Sequence, residues 1–323
     1  MHSLSHSRVF VPRALSHHGK TLAPTLLATM LAIACGSAFA APSKLPPISE
    51  PATHEHHTGK IVLVELVTPD LAASKRFYGG LFNWTFRDSQ AGKLEYSEAI
   101  LDGRPVAGLV HKDLPAGDQR KPAWLNFISV SDVDAAKNAA VSHGAKVLFD
   151  THALPARGKE AVLADPQGAV FAVVASSSGD PPDELADPGE WIWSSLITSD
   201  VDAGAAFYQT LFNYDVFPVD DDGDGKSDHA VFATENYARA SANSLPEQRP
   251  DAHPHWISFV RVNDVDQAAA KVTELGGRVV VEPHADRQGG KLAVVVDPQG
   301  AHFGLMDWNE NAPDGKGSKE VTK

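Results

Sequence analysis

The chain has 323 residues and a mass of 34.4 kDa, which is enough for two ordinary domains. Hydrophobic residues make up 43% and charged residues 21%, a composition typical of globular proteins and unlike that of disordered or fibrous chains. With 41 acidic and 28 basic side chains the formal net charge is −13, which argues against nucleic acid and anionic membrane surfaces as partners.

Residues 1–40 are predicted to be a secretory signal peptide. They contain no acidic residue, an apolar run spans 22–34, and Ala38 and Ala40 stand at the −3 and −1 positions of a signal-peptidase site. The alternative is a lipoprotein anchored through Cys35, because the residues before it resemble a bacterial lipobox. We therefore expect an exported protein, periplasmic or secreted, with no transmembrane segment.

A linker is predicted over residues 41–59. It is rich in Pro and His, and Pro46, Pro47 and Pro51 oppose both helix formation and sheet pairing. We expect its histidines to lie in a solvated tail.

The rest of the chain is an internal repeat. The offset between copies is 130 residues from Asp70 to Asp200 and 132 residues from Asp165 to Asp297. The repeat and a linker rich in Ser, Pro, Asp and Gly divide the chain into a first domain (60–175), a linker (176–189), a second domain (190–308) and a polar C-terminal tail (309–323).

Each copy carries strand and helix signals in the same order. In the first copy, the β-branched run 61–67 predicts a strand, Asp70 can cap the following helix, and three short strands follow. The order then repeats, with a strand from Trp124, a helix capped by Asp132 and three further strands. The predicted fold class is α+β, with each copy formed by two βαβββ modules.

Four recurring motifs resemble those of the vicinal oxygen chelate superfamily, which includes glyoxalases, bleomycin-resistance proteins and extradiol dioxygenases. They are a Phe-Tyr pair late in the first helix, the Leu-Phe-Asn that follows, an Asp-Val-Asp helix start and an Asp-Pro-Gln-Gly turn. The resemblance implies that paired modules curl a mixed sheet around a cleft, that the cleft binds a small molecule, and that the chain is a pseudo-dimer of tandem domains.

Enzymes of this superfamily hold a divalent metal with His, Gln or Glu at fixed strand positions. The matching positions of this chain are Leu63, Leu125 and Ala172 in the first copy, and Trp193, Ile257 and Gly304 in the second. None of these six residues offers a metal-binding side chain. We therefore expect no cofactor in the cleft.

Other residues near these positions are candidates for ligand binding or catalysis. We expect the ligand to contact Leu63, Glu65, Trp124, Leu125, Trp193, Ser195, Trp256 and Ile257. Glu65, His152 and His284 are candidates for acid–base catalysis, since a carboxyl in an apolar cleft has a raised pKa and the two histidines recur at one offset.

An acidic loop in the second copy has calcium-binding spacing. Carboxylates at Asp220, Asp222, Asp224 and Asp228 occupy positions 1, 3, 5 and 9, with Gly225 at position 6. The Glu that an EF-hand carries at position 12 is replaced by Val231, so the loop resembles a calcium hairpin. A solvated acidic hairpin tip is the alternative.

Three functions follow from these observations. The first is an exported small-molecule-binding protein without the usual metal ligands. The second is a glyoxalase-, dioxygenase- or hydroxylase-like enzyme with displaced metal ligands or metal-free acid–base chemistry. The third is a calcium-stabilised surface protein that binds a partner.

Overall fold

The computed structural model describes residues 45–113, 121–219, 223, 225–246, 252–286 and 290–308. Within these residues the chain forms sixteen strands and four helices, and the strands make two eight-stranded sheets. No helix in these ranges is long and apolar enough to cross a membrane.

The first sheet comes from the first copy of the repeat. Its elements are β1 (Ile61–Thr68), α1 (Leu71–Phe82), β2 (Thr85–Ala91), β3 (Leu94–Leu101), β4 (Arg104–His111), β5 (Ala123–Ser129), α2 (Val133–Ser142), β6 (Lys146–Leu154), β7 (Gly158–Ala164) and β8 (Val170–Ser176). The strand order is β2-β3-β4-β1-β5-β8-β7-β6. The pairs β1–β4 and β5–β8 are parallel and the others antiparallel, so the sheet is mixed.

The second sheet repeats this topology. Its elements are β9 (Trp191–Thr198), α3 (Val201–Phe212), β10 (Asp215–Val219), β11 (His229–Thr234), β12 (Tyr237–Ser244), β13 (His255–Arg261), α4 (Val265–Glu274), β14 (Arg278–Ala285), β15 (Lys291–Val296) and β16 (His302–Met306). The order β10-β11-β12-β9-β13-β16-β15-β14 matches the first sheet strand for strand. The predicted α+β fold is confirmed.

The repeated motifs define the helix ends. Asp70, Asp132, Asp200 and Asp264 are N-caps whose carboxylates accept hydrogen bonds from the first turn of each helix. The Asn of Leu-Phe-Asn is the C-cap of α1 and α3, where it adopts the left-handed conformation that Asn tolerates better than most residues.

The two domains pack through their helix-bearing faces. Helix α1 contacts α4, and α2 contacts α3. The two largest hydrophobic clusters each combine strands of both sheets, so each core is shared between the copies. Midway between these clusters, Ser258 Oγ donates to Asn126 Oδ1 across 2.6 Å, where β5 meets β13.

The Asp-Pro-Gln-Gly turns join the domains reciprocally. Tyr78 donates its hydroxyl to Asp297 at 3.1 Å, and Tyr208 donates to Asp165 at the same distance. Gln299 accepts from Thr68 and donates to Ser74, on the other domain. Gln167 makes the corresponding contacts to the start of α3. The motifs that reveal the repeat therefore hold its copies together.

The segment before β1 is packed against the first domain. Residues 45–59 contain no helix or strand, as their prolines predict, but Leu45 and Ile48 are buried. The backbone N–H of Ser49 donates to Ser178 Oγ, and those of Thr53 and His54 donate to the Ser178 carbonyl. The first part of this segment is therefore not solvated, whereas the histidines follow it in a part where His54 and His56 are exposed and His57 is half-buried.

Candidate functional site

The face of each sheet turned away from the helices forms a cleft. Cleft 1 is the surface around Leu63, Glu65, Leu125, Phe127 and Ala172 on the first sheet. Cleft 2 is the surface around Trp193, Ser195, Ile257, Phe259 and Gly304 on the second. Their register is equivalent, because Leu63 pairs with Phe127 as Trp193 pairs with Phe259.

Cleft 1 contains a buried ion pair. Arg157 Nη1 donates to Glu65 Oε1 at 2.9 Å, and Nη2 donates to the Tyr96 hydroxyl at 2.8 Å. The Arg157 side chain is only 2% exposed. Burial lowers the pKa of Arg157, but Tyr96 and Glu65 raise it by more than burial lowers it. Gly108 provides the space, because a Cβ there would lie 2.7 Å from Glu65 Oε1.

Glu160 is a second buried carboxyl in the first domain. Burial, with the nearby charge of Glu65, raises the pKa of Glu160 to about 7. Its Oε1 lies 3.1 Å from His152 Nε2, while its buried Oε2 has no hydrogen-bond partner among the described residues. A group titrating near neutrality suits acid–base chemistry. Sequence analysis did not single out Glu160, although its pairing with His152 across β6 and β7 follows from the hairpin register.

Cleft 1 is partly covered by the N-terminal segment. Ile48 packs on Val62, Phe127, Ala172 and Val174. The Pro46 carbonyl accepts a hydrogen bond from Arg157 Nε at 3.4 Å. A cavity of about 1300 Å³ adjoins this segment, and its walls come from both copies of the repeat, with charged side chains such as Lys60 and Glu98 from the first and Arg239 from the second.

Cleft 2 is apolar. Ile257, Phe259 and Met306 form a buried cluster, with Trp193, Leu292 and Val294 packed against it. The cleft encloses a cavity of about 1220 Å³. A large concave cavity with apolar walls and few polar groups is typical of a small-molecule site.

A short row of polar side chains crosses the floor of cleft 2. Trp193 Nε1 donates to Ser241 Oγ at 3.0 Å, and the Ser195 and Ser241 hydroxyls lie 2.6 Å apart. Asn243 continues the row, with Oδ1 2.9 Å from His229 Nδ1.

Histidines also line the cavity of cleft 2. His255 Nδ1 donates to the His253 carbonyl at 2.7 Å, and His284 Nδ1 donates to the Glu282 carbonyl at 2.9 Å. Burial and the neighbouring His253 lower the pKa of His255, which keeps its imidazole neutral near pH 7. The Nε2 atom of the neutral His255 ring is then a hydrogen-bond acceptor.

The sheet register shows how the two clefts differ in polarity. Glu65 corresponds to Ser195, because each pairs with the same residue position on the neighbouring parallel strand. By the same register Glu98 corresponds to Val231 and Glu160 to Leu292. These three buried carboxyls on the open face of the first sheet are thus replaced by uncharged side chains in the second.

The residues predicted to contact a ligand lie in three different places, namely cleft 1, cleft 2 and the interdomain cores. Trp193, Ser195 and Ile257 line the cavity of cleft 2, whereas Leu63 lines that of cleft 1. Leu125 packs beside Phe127 in cleft 1. Trp124 and Trp256 reach the rim of cleft 2 but are buried mainly in the interdomain cores, where their indoles donate to Tyr78 and Tyr208.

The predicted catalytic residues do not converge. Glu65 is engaged by Arg157 within the first domain, and His152 lies on β6 beside Glu160. His284 lies on β14 in the wall of cleft 2. The two histidines occupy equivalent strand positions inside β6 and β14.

The positions that hold a metal in the family do not fit one here. Leu63, Leu125 and Ala172 meet in one hydrocarbon cluster. At Gly304 a Cβ would lie 2.0 Å from Phe259 Cδ1, so an aromatic ring occupies the space that a side-chain ligand would need. Across the described ranges, no three His, Cys, Asp or Glu side chains are grouped so that they could hold a metal ion.

The predicted calcium loop is mostly outside the described residues, which include Asp228 but not Asp220, Asp222 or Asp224. The Asp228 N–H donates to the Val219 carbonyl at 3.0 Å, which joins the ends of β10 and β11 below the loop. Calcium binding here stays a prediction.

A model of the Glyoxalase/Bleomycin resistance protein/Dioxygenase superfamily matches the chain twice, over residues 60–173 and 192–305. The putative glyoxylase CFP32 of Mycobacterium tuberculosis (strain CDC 1551 / Oshkosh) is 30% identical over 264 residues, covering 79% of this chain and 97% of that protein. The anthracycline biosynthesis protein DauV of Streptomyces sp. (strain C5) is 31% identical over 261 residues, covering 77% and 93%.

Two solved structures share the fold at low sequence identity. A Mn(II)-bound glyoxalase from Novosphingobium aromaticivorans has a TM-score of 0.53 at 15% identity, covering 78% of this chain and 83% of that one. Homoprotocatechuate 2,3-dioxygenase from Arthrobacter globiformis has a TM-score of 0.57 at 15% identity, covering 84% and 86%. The family resemblance stated from the repeated motifs is confirmed.

Proposed function

Because the chain belongs to the glyoxalase/bleomycin resistance protein/dioxygenase superfamily, we propose that it is an exported protein that binds a small, largely apolar molecule in cleft 2. Binding proceeds without a divalent metal at the family's ligand positions. The observation that carries the proposal is the cavity of about 1220 Å³ with its apolar cluster around Ile257, Phe259 and Met306.

Three further points support this function. The anthracycline biosynthesis name of one relative is compatible with a planar, multi-ring ligand. Half-buried Trp193, which lines this cavity, offers an aromatic surface on which such a ring can pack. The expectation of export comes from the signal-peptide features of residues 1–40.

Equilibrium dialysis with fluorene, a planar tricyclic hydrocarbon, tests the site. We expect saturable binding with one site per chain. The variant Ile257→Trp fills the cavity and should weaken binding at least about tenfold, since it places a larger side chain where the ligand lies. The matched variant Leu125→Trp changes the equivalent position of cleft 1 and should leave binding unchanged.

Two results would contradict the proposal. One is the loss of fluorene binding in Leu125→Trp but not in Ile257→Trp, with both variants folded by circular dichroism. The other is about one equivalent of manganese, iron, nickel or zinc per chain, measured by elemental analysis of the dialysed mature protein.

A further inference from the structure

Ser241 is the junction of the polar row in cleft 2. Its Oγ accepts a hydrogen bond from Trp193 Nε1, which can only donate, at 3.0 Å. Asn243 Nδ2 donates to the same oxygen at 3.4 Å, in the orientation that directs Asn243 Oδ1 toward His229. A hydroxyl oxygen has two lone pairs, so both are taken in this arrangement.

These two bonds determine the direction of the hydrogen bond between Ser241 and Ser195. With both lone pairs used, Ser241 can act toward Ser195 only as a donor, across 2.6 Å. Ser195 Oγ is then the acceptor of this bond, and its own proton is available to another group. Within the described part of the chain, Ser241 is the hydrogen-bond partner recorded for the Ser195 hydroxyl.

The available proton lies in an apolar wall. Ser195 is 5% exposed, lines the cavity, and pairs across the sheet with Ile257. A buried donor without an acceptor costs free energy, whereas a ligand that brings an acceptor satisfies it. The ligand atom opposite Ser195 should therefore be an oxygen that accepts a hydrogen bond.

We infer that cleft 2 selects planar, apolar molecules that carry a carbonyl oxygen, and that Ser195 is the residue that recognises this oxygen. The inference rests on the proposed function, because it specifies the class of ligand for the same cleft. A carbonyl fits because its oxygen accepts the Ser195 proton and brings no proton of its own that would need an acceptor beside the apolar Ile257 and Phe259 side chains.

The equivalent position of cleft 1 cannot recognise a carbonyl oxygen in this way. Glu65 stands where Ser195 stands in the second domain, and Gly108 stands where Ser241 does. The carboxyl of Glu65 already accepts a hydrogen bond from Arg157, and Gly108 has no side chain to take the place of the Ser241 hydroxyl. Only in cleft 2, therefore, does this strand position carry a side chain that can recognise a carbonyl.

Fluorenone and fluorene test the inference as a matched pair, since they have the same tricyclic framework and differ in a single carbonyl oxygen. Equilibrium dialysis should show that fluorenone binds about tenfold more tightly than fluorene, which is the upper range for one neutral hydrogen bond. In Ser195→Ala, fluorenone affinity should fall to that of fluorene, while fluorene affinity stays unchanged. Ser195→Thr, which keeps the hydroxyl, should restore the preference for fluorenone.

The control is Ser194→Ala, the same substitution one residue earlier on β9. Ser194 faces the domain interface, where its hydroxyl lies 2.8 Å from Ser258, so the preference for fluorenone should persist. Equal affinities for the two compounds, unaffected by Ser195→Ala, would overturn the inference and leave the proposed function standing. No binding of either compound would overturn both.

Discussion

The two clefts have the same topology and opposite contents. In the first domain, three buried carboxyls, a buried guanidinium and the N-terminal segment occupy the open face of the sheet. In the second, the equivalent face is lined by hydrocarbon and hydroxyl groups around a cavity of about 1220 Å³. The comparison teaches that the interlocked helix faces stayed alike after duplication while the outward faces diverged, one toward buried charged groups and one toward an apolar cavity.

The largest effect on stability should come from breaking the ion pair of cleft 1. Arg157→Leu leaves the Glu65 carboxylate buried without its partner, and we expect the free energy of unfolding to fall by about 3–5 kcal/mol. Urea denaturation at pH 7.5 measures this. Arg104→Leu breaks an exposed pair with Asp187 and should change stability by less than about 1 kcal/mol. Similar losses in both variants would contradict the assignment.

Shortening Ile48 tests whether the N-terminal segment stabilises the first domain. Ile48→Ala removes buried methyl groups from the cluster with Phe127 and Val174, so we expect a loss of about 2 kcal/mol in the free energy of unfolding. Leu185→Ala, at a side chain that is 47% exposed, should be within about 0.5 kcal/mol of the unmodified protein. An unchanged free energy of unfolding in Ile48→Ala would show that the segment does not stabilise the first domain.

Glu160 should make the stability of the protein depend on pH. Its pKa is about 7 in the folded protein and near 4.5 when exposed, so the folded state binds more protons between these values. Stability therefore decreases as pH rises from about 4.5 to 7. Glu160→Gln removes this loss, so urea denaturation at pH 8 should give a free energy of unfolding on the order of 2 kcal/mol above that of the unmodified protein, with no gain at pH 4.5.

The control for that measurement is Asp150→Asn. Its exposed carboxylate pairs with Lys137, which lowers the pKa of Asp150, so this variant should not gain stability at pH 8. A pH-independent difference between Glu160→Gln and the unmodified protein would contradict the raised pKa.

The smallest losses of stability should be equal in the two domains. Tyr78→Phe and Tyr208→Phe each remove a hydroxyl that accepts from a tryptophan indole and donates to an aspartate of the other domain. We expect each to cost about 1–2 kcal/mol, with equal losses within error. A large difference between the two variants, measured by urea denaturation, would show that the interface has diverged as the clefts have.

Sequence patterns predicted the elements whose signals are local. The capping aspartates and the order of helices and strands follow from neighbouring residues and from the repeat. The contents of cleft 1 could not be predicted in this way. Arg157 reaches Glu65 across 92 positions of sequence, and nothing near Arg157 in the chain indicates that its charge is buried.

Some of the residues that line cleft 2 could be predicted from the sequence. The family's strand positions pointed to Trp193, Ser195 and Ile257, which line one cavity. Ser241 and Asn243 were missed because they lie on β12, whose register against β9 depends on tertiary pairing. One sequence signal was not used. Side chains alternate along a strand, and Trp256 and Ile257 are neighbours on β13, so their side chains point to opposite faces of the sheet.

The exchange of hydrogen bonds between the domains also bears on the order in which the chain folds. Thr68 lies 231 residues from Gln299, and Tyr78 lies 219 residues from Asp297. Such distant contacts form slowly, and during synthesis they cannot form until the partner residue has been made. The first helix therefore gains its final partners only when the last strand is available, so we expect the newly made chain to reach its native state late and as a whole.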